Sequence, residues 1–464
     1  MKQVLIKKGH AIVEEVPAPL VDDNGVLVEV AYSLISVGTE MASVEQSGKP
    51  LARRALEQPE KVLKVVEHLR RQGLQKTVAK VRGQLEAGSP SGYSCSGTVI
   101  QVGRNVSDLK PGDWVACAGA GKANHAEIVM VPRNLVVKVP DGCTLREAAS
   151  VTLGAIAMQG VRRADPRLGE IVAVIGLGLL GQLTVQLLKA AGCRVIGFDL
   201  DERRVVLARE LGADHAFVSL EVDVQNEAKH LTDGYGVDST IITAASQSDT
   251  IVQQAMEITR KKGRVVVVGA VGLGLKRSPF YEKELDFLIS CSYGPGRYDG
   301  RYEEKGLDYP YAYVRWTENR NMAEYLRLVA EGKVNVRAII EREYDVSHAP
   351  EAYEELKTAT EKPLGVLLAY GVDESSYERK RGTKITLKPF KPTGKINVAV
   401  IGAGSFAKGT HLPNLQKLSD LYHLRAVVSA TGSNAKATAQ QFGADYCTTN
   451  YGDVLADETV DVVM

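Results

Sequence analysis

The spacing of apolar positions along the chain changes several times, and each change predicts a different kind of element. Residues 1–46 and 92–140 carry short alternating runs such as "GVLVEVAYSLISVG" and "GDWVACAG", the pattern of strands in a small β-barrel or sandwich. The opening "MKQVLIKKGHAIVEEV" alternates in the same way and reads as a first strand, without the continuous apolar core of a secretory signal. Between these β-rich stretches, Val62, Val65, Val66 and Leu69, then Leu74, Val78, Val81 and Leu85, recur at three and four, which predicts helix. With 10 Lys/Arg against 4 Glu over residues 49–86, this insert reads as a solvated helical hairpin covering the barrel, or else as a site for an anionic partner. From residue 171 apolar runs such as "IVAVIG", "RVIGFD", "VDSTIIT" and "GRVVVVGA" alternate with helical stretches such as "LLGQLTVQLLKAAG", the signature of a doubly wound parallel sheet. Residues 292–322 are loop-rich and crowded with tyrosine, and 323–370 return to helix, strand, helix and a closing strand "GVLLAY". A polar, lysine-rich connector covers 371–394, and a second strand–turn–helix begins with "INVAVIGAGSFAKGTHLPNL".

Composition limits what these elements can be. A chain of 464 residues with 44% hydrophobic content holds enough apolar material for two or three cores. Lys+Arg 57 against Asp+Glu 56 leaves a formal charge of +1, so no global field draws the protein to nucleic acid or an anionic membrane. The six cysteines form no C-x-x-C pair, which predicts reduced thiols, a cytoplasmic location and no structural zinc lobe. Apolar runs such as "VVVVGAVGLGL" fall short of the ~20 residues that span a bilayer.

Two glycine-rich turns carry the first chemistry. In "VAVIGLGLLG", Gly176, Gly178 and Gly181, with Leu177, Leu179 and Leu180 between them, follow an apolar strand and open a helix. Asp199 ends the next strand, where an acidic side chain binds the ribose hydroxyls of NAD and repels the 2′-phosphate of NADP. The first glycine permits the turn, the second admits the pyrophosphate and the third lets helix and strand pack, while N–H groups at the helix start bind phosphate. Thr243 and Gly269, at the ends of later strands, join this cofactor set. The second turn has Gly402, Gly404 and Ala407, but its next strand ends "AVVSATGS" with no carboxylate. It leaves open both the cofactor type and an empty site.

The order of elements over residues 1–370 resembles the medium-chain dehydrogenase/reductase superfamily, through "GVLVEVAYSLISVGTE", "GYSCSGTVIQVGRNVSDLKPGDWVA", "HAEIVMVP" and "VIGLGLLGQLTVQLLKAAG". The resemblance implies a GroES-like catalytic barrel over 1–155 with its helical insert at 47–90, a nucleotide-binding domain over 156–291, and a return to the barrel over 292–370. It also places Arg204 near the cofactor ribose. Residues 395–464 resemble the opening half of the glucose-fructose oxidoreductase/inositol dehydrogenase family, through "VAVIGAGSFAKGTHLPNL" and "VDVVM". Together the two resemble a bidomain oxidoreductase of the bacterial type found with polysaccharide genes. The "EKP" of residues 361–363 matches the second family's lysine motif but precedes its fingerprint, so it reads as chance. Because the sheet stops at Met464 in its fourth strand, the second unit is expected to be partial, less stable than the first, and without part in the chemistry.

Zinc-dependent members of the first family carry ligands where this sequence has Val37, Tyr93 with Ser94, and Thr152, so the resemblance implies a zinc-free site. Hydride transfer without zinc still requires a polarised carbonyl and a proton at the substrate oxygen. The candidates are Tyr93, at a zinc-ligand position, and Thr39, at the position of the family's proton-relaying hydroxyl, with Glu40 in support. Tyr93 can also be read as filling the volume a metal would take. Tyrosines and tryptophan in the 292–322 loop offer flat faces for a sugar, with Arg297, Tyr298, Arg315, Trp316 and Asn319 as the substrate set; the same loop reads equally as a subunit interface. The expectation is an NAD-dependent, zinc-independent homo-oligomeric oxidoreductase acting on a sugar hydroxyl or keto carbon. Its rivals are a quinone- or enone-type reductase and an inactive nucleotide-binding scaffold.

Overall fold

The structure is a computed structural model describing residues 1–50, 53, 88–371, 381–392 and 394–464. The expected helical hairpin of the insert lies outside the described residues. The opening segment forms two strands rather than one: β1 (Lys2–Lys7) and β2 (His10–Glu15) pair antiparallel. Lys8 and Gly9 both take positive φ, the conformation of a tight hairpin turn, and this folds the alternating run back on itself. The barrel continues with β3 (Gly25–Ile35), β4 (Ser89–Pro90), β5 (Ser94–Val102), β6 (Trp114–Ala118), β7 (Ile128–Pro132) and β8 (Val136–Lys138). "SVGTE", expected as the end of a β-run, instead starts the helix Val37–Gly48, so Thr39 and Glu40 stand on its first turns.

A doubly wound sheet follows, with β9 (Ile171–Ile175), β10 (Arg194–Asp199), β11 (His215–Val218), β12 (Val237–Ile242), β13 (Thr259–Val267) and β14 (Asp286–Ile289). The strands lie in the order β11-β10-β9-β12-β13-β14 and are parallel throughout. Strand order reverses between β9 and β12, and such a switch point opens a ligand crevice at the carboxyl ends of the strands. The strands read as nearly continuous Val/Ile runs because helices bury both faces. The chain then returns to the barrel: β15 (Ile340–Asp345) pairs with β16 (Gly365–Ala369), and β16 pairs antiparallel with β3. The "EKP" segment leads directly into β16.

The connector is not all loop. Its Lys384–Thr386 forms β17, an antiparallel edge strand on a second sheet with β18 (Ile396–Ile401), β19 (Tyr422–Val428), β20 (Tyr446–Thr448) and β21 (Val462–Val463), in the order β17-β20-β19-β18-β21. This sheet's carboxyl edge meets the first unit at Pro17–Ala18: Thr449 donates to Ala18 O, Ala18 N donates to Gly382 O at 2.9 Å, and Gly432 packs so closely on Pro17 that a Cβ would lie 1.9 Å from Pro17 O.

Candidate active site

The first glycine turn is built as a cradle. Gly176 has φ +96, and a Cβ there would lie 2.6 Å from Ala244 N. At Gly181 a Cβ would lie 2.0 Å from Gly176 O, so only glycine lets the helix Leu179–Ala190 reach the turn. Gly178, by contrast, faces open space, with nothing within 4 Å of a Cβ. Two glycines are demanded by packing, and the third leaves room for a ligand at a helix N-terminus.

The neighbouring strand ends complete the edge. Thr243 Oγ1 donates to Gly176 O at 2.5 Å, and Gly269 lies against Ala244 O. Asp199 Oδ2 accepts from Leu177 N at 2.5 Å, while Oδ1 accepts from Leu200 N at 2.8 Å and Asp201 N at 3.0 Å. The carboxylate thus ties the glycine turn to β10 and keeps lone-pair capacity for a hydroxyl. Arg204 Nη1 lies 3.8 Å from it, and Arg204 Nε pairs with Asp201 Oδ2 at 3.6 Å while making no hydrogen bond. An open phosphate cradle beside an aspartate and a guanidinium whose Nε makes no hydrogen bond fits a nicotinamide dinucleotide.

Tyr93 stands where two distant segments meet. Thr152 Oγ1 donates to Tyr93 O at 2.9 Å, and Thr152 N donates to Ser94 Oγ at 3.1 Å. Two of the positions where the family resemblance implies zinc ligands are therefore adjacent, and they meet through a backbone carbonyl and two hydroxyls, which is no tetrahedral ligand set. Among the described residues, no three His, Cys, Asp or Glu side chains are grouped to hold a metal ion. Thr152 opens the helix Val151–Ala164, whose Gly160 packs on Val268 just past β13, roughly 12 Å further along at 1.5 Å per residue. That helix links the Tyr93 turn to the carboxyl edge of the nucleotide-binding sheet.

The Tyr93 phenol is pushed up to about 12 by burial, with the Glu40 carboxylate adding to the rise and hydrogen bonds with Ser36 and Thr39 opposing it. Thr39 is exposed, whereas Glu40 is buried. Burial alone would raise Glu40, but His125, Tyr353 and Ser91 hold its carboxyl below the ordinary range. Its partner His125 was not among the sequence candidates. The "NHAEIVM" stretch gave no signal for it, because the ring meets Glu40 only after the barrel closes.

The expected substrate residues divide into two stacks, linked through Tyr293 and Asn321: Arg297 lies over the Tyr293 ring, Asn321 Nδ2 donates to Tyr293 O at 3.0 Å, and Arg162 Nε donates to Asn321 Oδ1 at 2.7 Å. Arg297 donates to Glu303 Oε1 at 2.7 Å and lies 4.1 Å from the ring of Tyr298, which is 76% exposed. Arg162 and Arg315 both lie over Trp316, their guanidinium carbons 3.3 Å and 3.7 Å from its ring centroid. Asn319 donates to the carbonyls of Asn134 at 2.9 Å and Val136 at 3.0 Å, which commits its amide N–H groups to the barrel. Glu318, which the sequence reading passed over, is wholly buried, and both its carboxyl oxygens lack partners. Burial and the nearby Glu303 raise it to about 9.

The second turn keeps Gly402 at φ +91, with Gly404 N donating to Gly402 O at 2.7 Å and Ala407 buried at the start of the next helical turn. In place of a carboxylate after β19, Asn434 Nδ2 donates to Ala403 O at 3.0 Å and to Ser429 Oγ at 2.8 Å.

Comparison with known proteins decides the family. The zinc-binding dehydrogenase family matches residues 180–304, and an oxidoreductase family with an NAD-binding Rossmann fold matches residues 396–464. The D-guloside 3-dehydrogenase of Shigella flexneri is 31% identical over 265 residues, covering 55% of this chain and 70% of that protein. The chain belongs to the medium-chain dehydrogenase/reductase family. Among solved structures, an alcohol dehydrogenase from Thermus sp. ATN1 matches 80% of this chain and 100% of its own at a TM-score of 0.60 and 20% identity. Galactitol-1-phosphate dehydrogenase from Escherichia coli matches 80% of this chain and 100% of its own at a TM-score of 0.61 and 19% identity. These two likenesses establish the shared barrel and nucleotide-binding fold. The chain is an oxidoreductase whose family uses a nicotinamide cofactor, and among the described residues no helix is long and apolar enough to cross a membrane.

Proposed function

We propose that this protein is an NAD-dependent, zinc-independent dehydrogenase of a secondary hydroxyl or keto carbon on a sugar, working in cytoplasmic saccharide metabolism as a homo-oligomer. The feature that carries the reading is the Tyr93 phenol, at a position where the family resemblance implies a zinc ligand and near enough to Ser36, Glu40 and solvent-exposed Thr39 for each to act on its proton. Likeness to a protein named as a D-guloside dehydrogenase supports a glycoside substrate.

The bound dinucleotide supplies or takes the hydride. The chain's residues would hold that cofactor and handle the proton: Gly176–Gly181 would cradle the pyrophosphate, Asp199 and Arg204 would take the adenosine ribose, and Asp199 would disfavour a 2′-phosphate. A phenol that keeps its proton to about pH 12 donates a hydrogen bond, and then its proton, to a keto oxygen during reduction. In the oxidative direction the hydroxyl proton leaves by the reverse path, through Tyr93 and Thr39 to solvent. Arg297, Tyr298, Arg315 and Trp316 offer stacking faces and donors to the saccharide.

The test is NADH formation from NAD with methyl D-guloside and other glycosides, set beside NADH consumption with simple quinones. Turnover of glycosides supports the reading. Turnover of quinones alone supports a quinone-type reductase, and tight NADH binding without turnover of either supports a nucleotide-binding scaffold.

A further inference from the structure

Behind Tyr93 lies a closed polar cluster assembled from five separate segments, with His125 at its centre. The His125 side chain is wholly buried. Its Nε2 lies 3.0 Å from Glu40 Oε2, and its Nδ1 lies 2.7 Å from Ser33 Oγ, which in turn lies 2.8 Å from the Tyr370 hydroxyl. An ionised Glu40 requires the proton on Nε2. Glu40 Oε2 also accepts from Ser91 Oγ at 2.7 Å and from the Tyr353 hydroxyl, while Oε1 accepts from Ser36 N at 2.9 Å. The carboxylate therefore anchors the turn that starts the Val37–Gly48 helix and carries Thr39.

His125 grips the second arm of the site as well. Its backbone N–H donates to Ser91 O at 2.8 Å. Gly92 has φ +89 and lies flush on the ring, where a Cβ would be 2.6 Å from His125 N and 2.7 Å from its Cγ and Nδ1. One side chain thus touches the turn that delivers Tyr93 and, through Glu40, the turn that delivers Ser36 and Thr39.

A buried histidine–carboxylate pair is a poor source of stability, since desolvation offsets its attraction and apolar residues of the same shape would pack without that cost. A fully satisfied buried network is well suited to holding fixed geometry. We propose that His125 is a positioning residue for the reaction at Tyr93, setting the alignment of the Tyr93 phenol with Thr39 by fixing both turns. The inference rests on the Tyr93 reading above.

The experiment compares the unmodified protein, His125→Gln, Tyr93→Phe and the double variant in NADH formation from methyl D-guloside, or from whichever glycoside or quinone is turned over. NADH affinity is measured alongside to confirm folding. His125→Gln is expected to lose roughly tenfold or more in kcat at unchanged NADH affinity. The double variant is expected to fall no further than Tyr93→Phe alone, because His125 acts through that phenol. Independent, multiplying losses, or full activity in His125→Gln while Tyr93→Phe is impaired, would overturn the positioning role. Loss in His125→Gln with none in Tyr93→Phe would instead overturn the Tyr93 reading. If His125→Gln does not bind NADH, Ser33→Ala takes its place, since it removes only the Nδ1 partner; the same non-multiplying pattern is expected, and unaltered turnover counts against the proposal.

Discussion

At the scale of single residues, two carboxylates do different work because their surroundings differ. Asp199 accepts one backbone hydrogen bond from the glycine turn and two from the residues that follow it, yet stays at the cofactor edge. Asp199→Ala should therefore both loosen NAD(H) binding and narrow its advantage over NADP(H). Calorimetric titration with both cofactors checks this, and equal binding by the unmodified protein would contradict the assignment. Glu40 is instead sealed beneath Tyr93, where burial is the larger cause and the Glu40 charge a further cause of a phenol near 12. A group whose pKa is raised keeps its proton until the pH reaches that raised value. Removing the charge in Glu40→Gln should then move the alkaline fall of the pH–kcat profile to lower pH, provided NADH binding shows an intact fold. An alkaline limb at the same pH in both proteins would show that Tyr93 is not the group titrating.

At the scale of elements, the parallel sheet was legible except for its edge strand β14, because its Val/Ile strands and the glycine turn state their roles locally, whereas the short DFLI run of β14 carries no such signal. Periodicity gave β9 and β10, and the three glycines gave the helix start. The site was legible only in part. Tyr93 and Thr39 could be placed through the family pattern, but His125, Glu318 and Asn434 owe their positions to contacts between segments far apart in sequence, and nothing adjacent to them signals a partner. Lys8–Gly9 and "SVGTE" were misjudged for a related reason. A short alternating run does not reveal a positive-φ turn within it, and the helix that begins at Val37 is reinforced by Glu40 folding back on Ser36 N. The cradle makes its own prediction. Gly178→Ala should fold normally but bind NADH more weakly, since open space surrounds the added methyl where phosphate would lie. Gly181→Ala must displace Gly176 O and should lose about 1–3 kcal/mol in denaturant stability. A Gly178→Ala protein with unchanged NADH affinity would mean that the cradle is not the phosphate site.

At the scale of the whole molecule, two dinucleotide-type sheets share one chain, and only the first stands beside Tyr93 through the helix Val151–Ala164. The second unit touches the first at Pro17–Ala18 and through the Lys436–Glu14 ion pair at 3.2 Å, and none of these contacts includes Tyr93, Thr39 or the glycine turn. Deleting residues 371–464 should accordingly leave turnover by the first unit intact. A truncated protein that still binds NADH but has lost activity would show that the second unit takes part in the chemistry.

The central claim is hydride transfer at a metal-free site in which Tyr93 supplies the proton. Its most direct test is the steady-state rate of metal-stripped protein, with zinc content confirmed by elemental analysis, for the unmodified chain and for Tyr93→Phe at saturating cofactor. The account predicts full activity without zinc and a large fall in kcat on loss of the single hydroxyl, with cofactor affinity unchanged. Activity that disappears with about one tightly held zinc per chain, or that survives Tyr93→Phe undiminished, would contradict it.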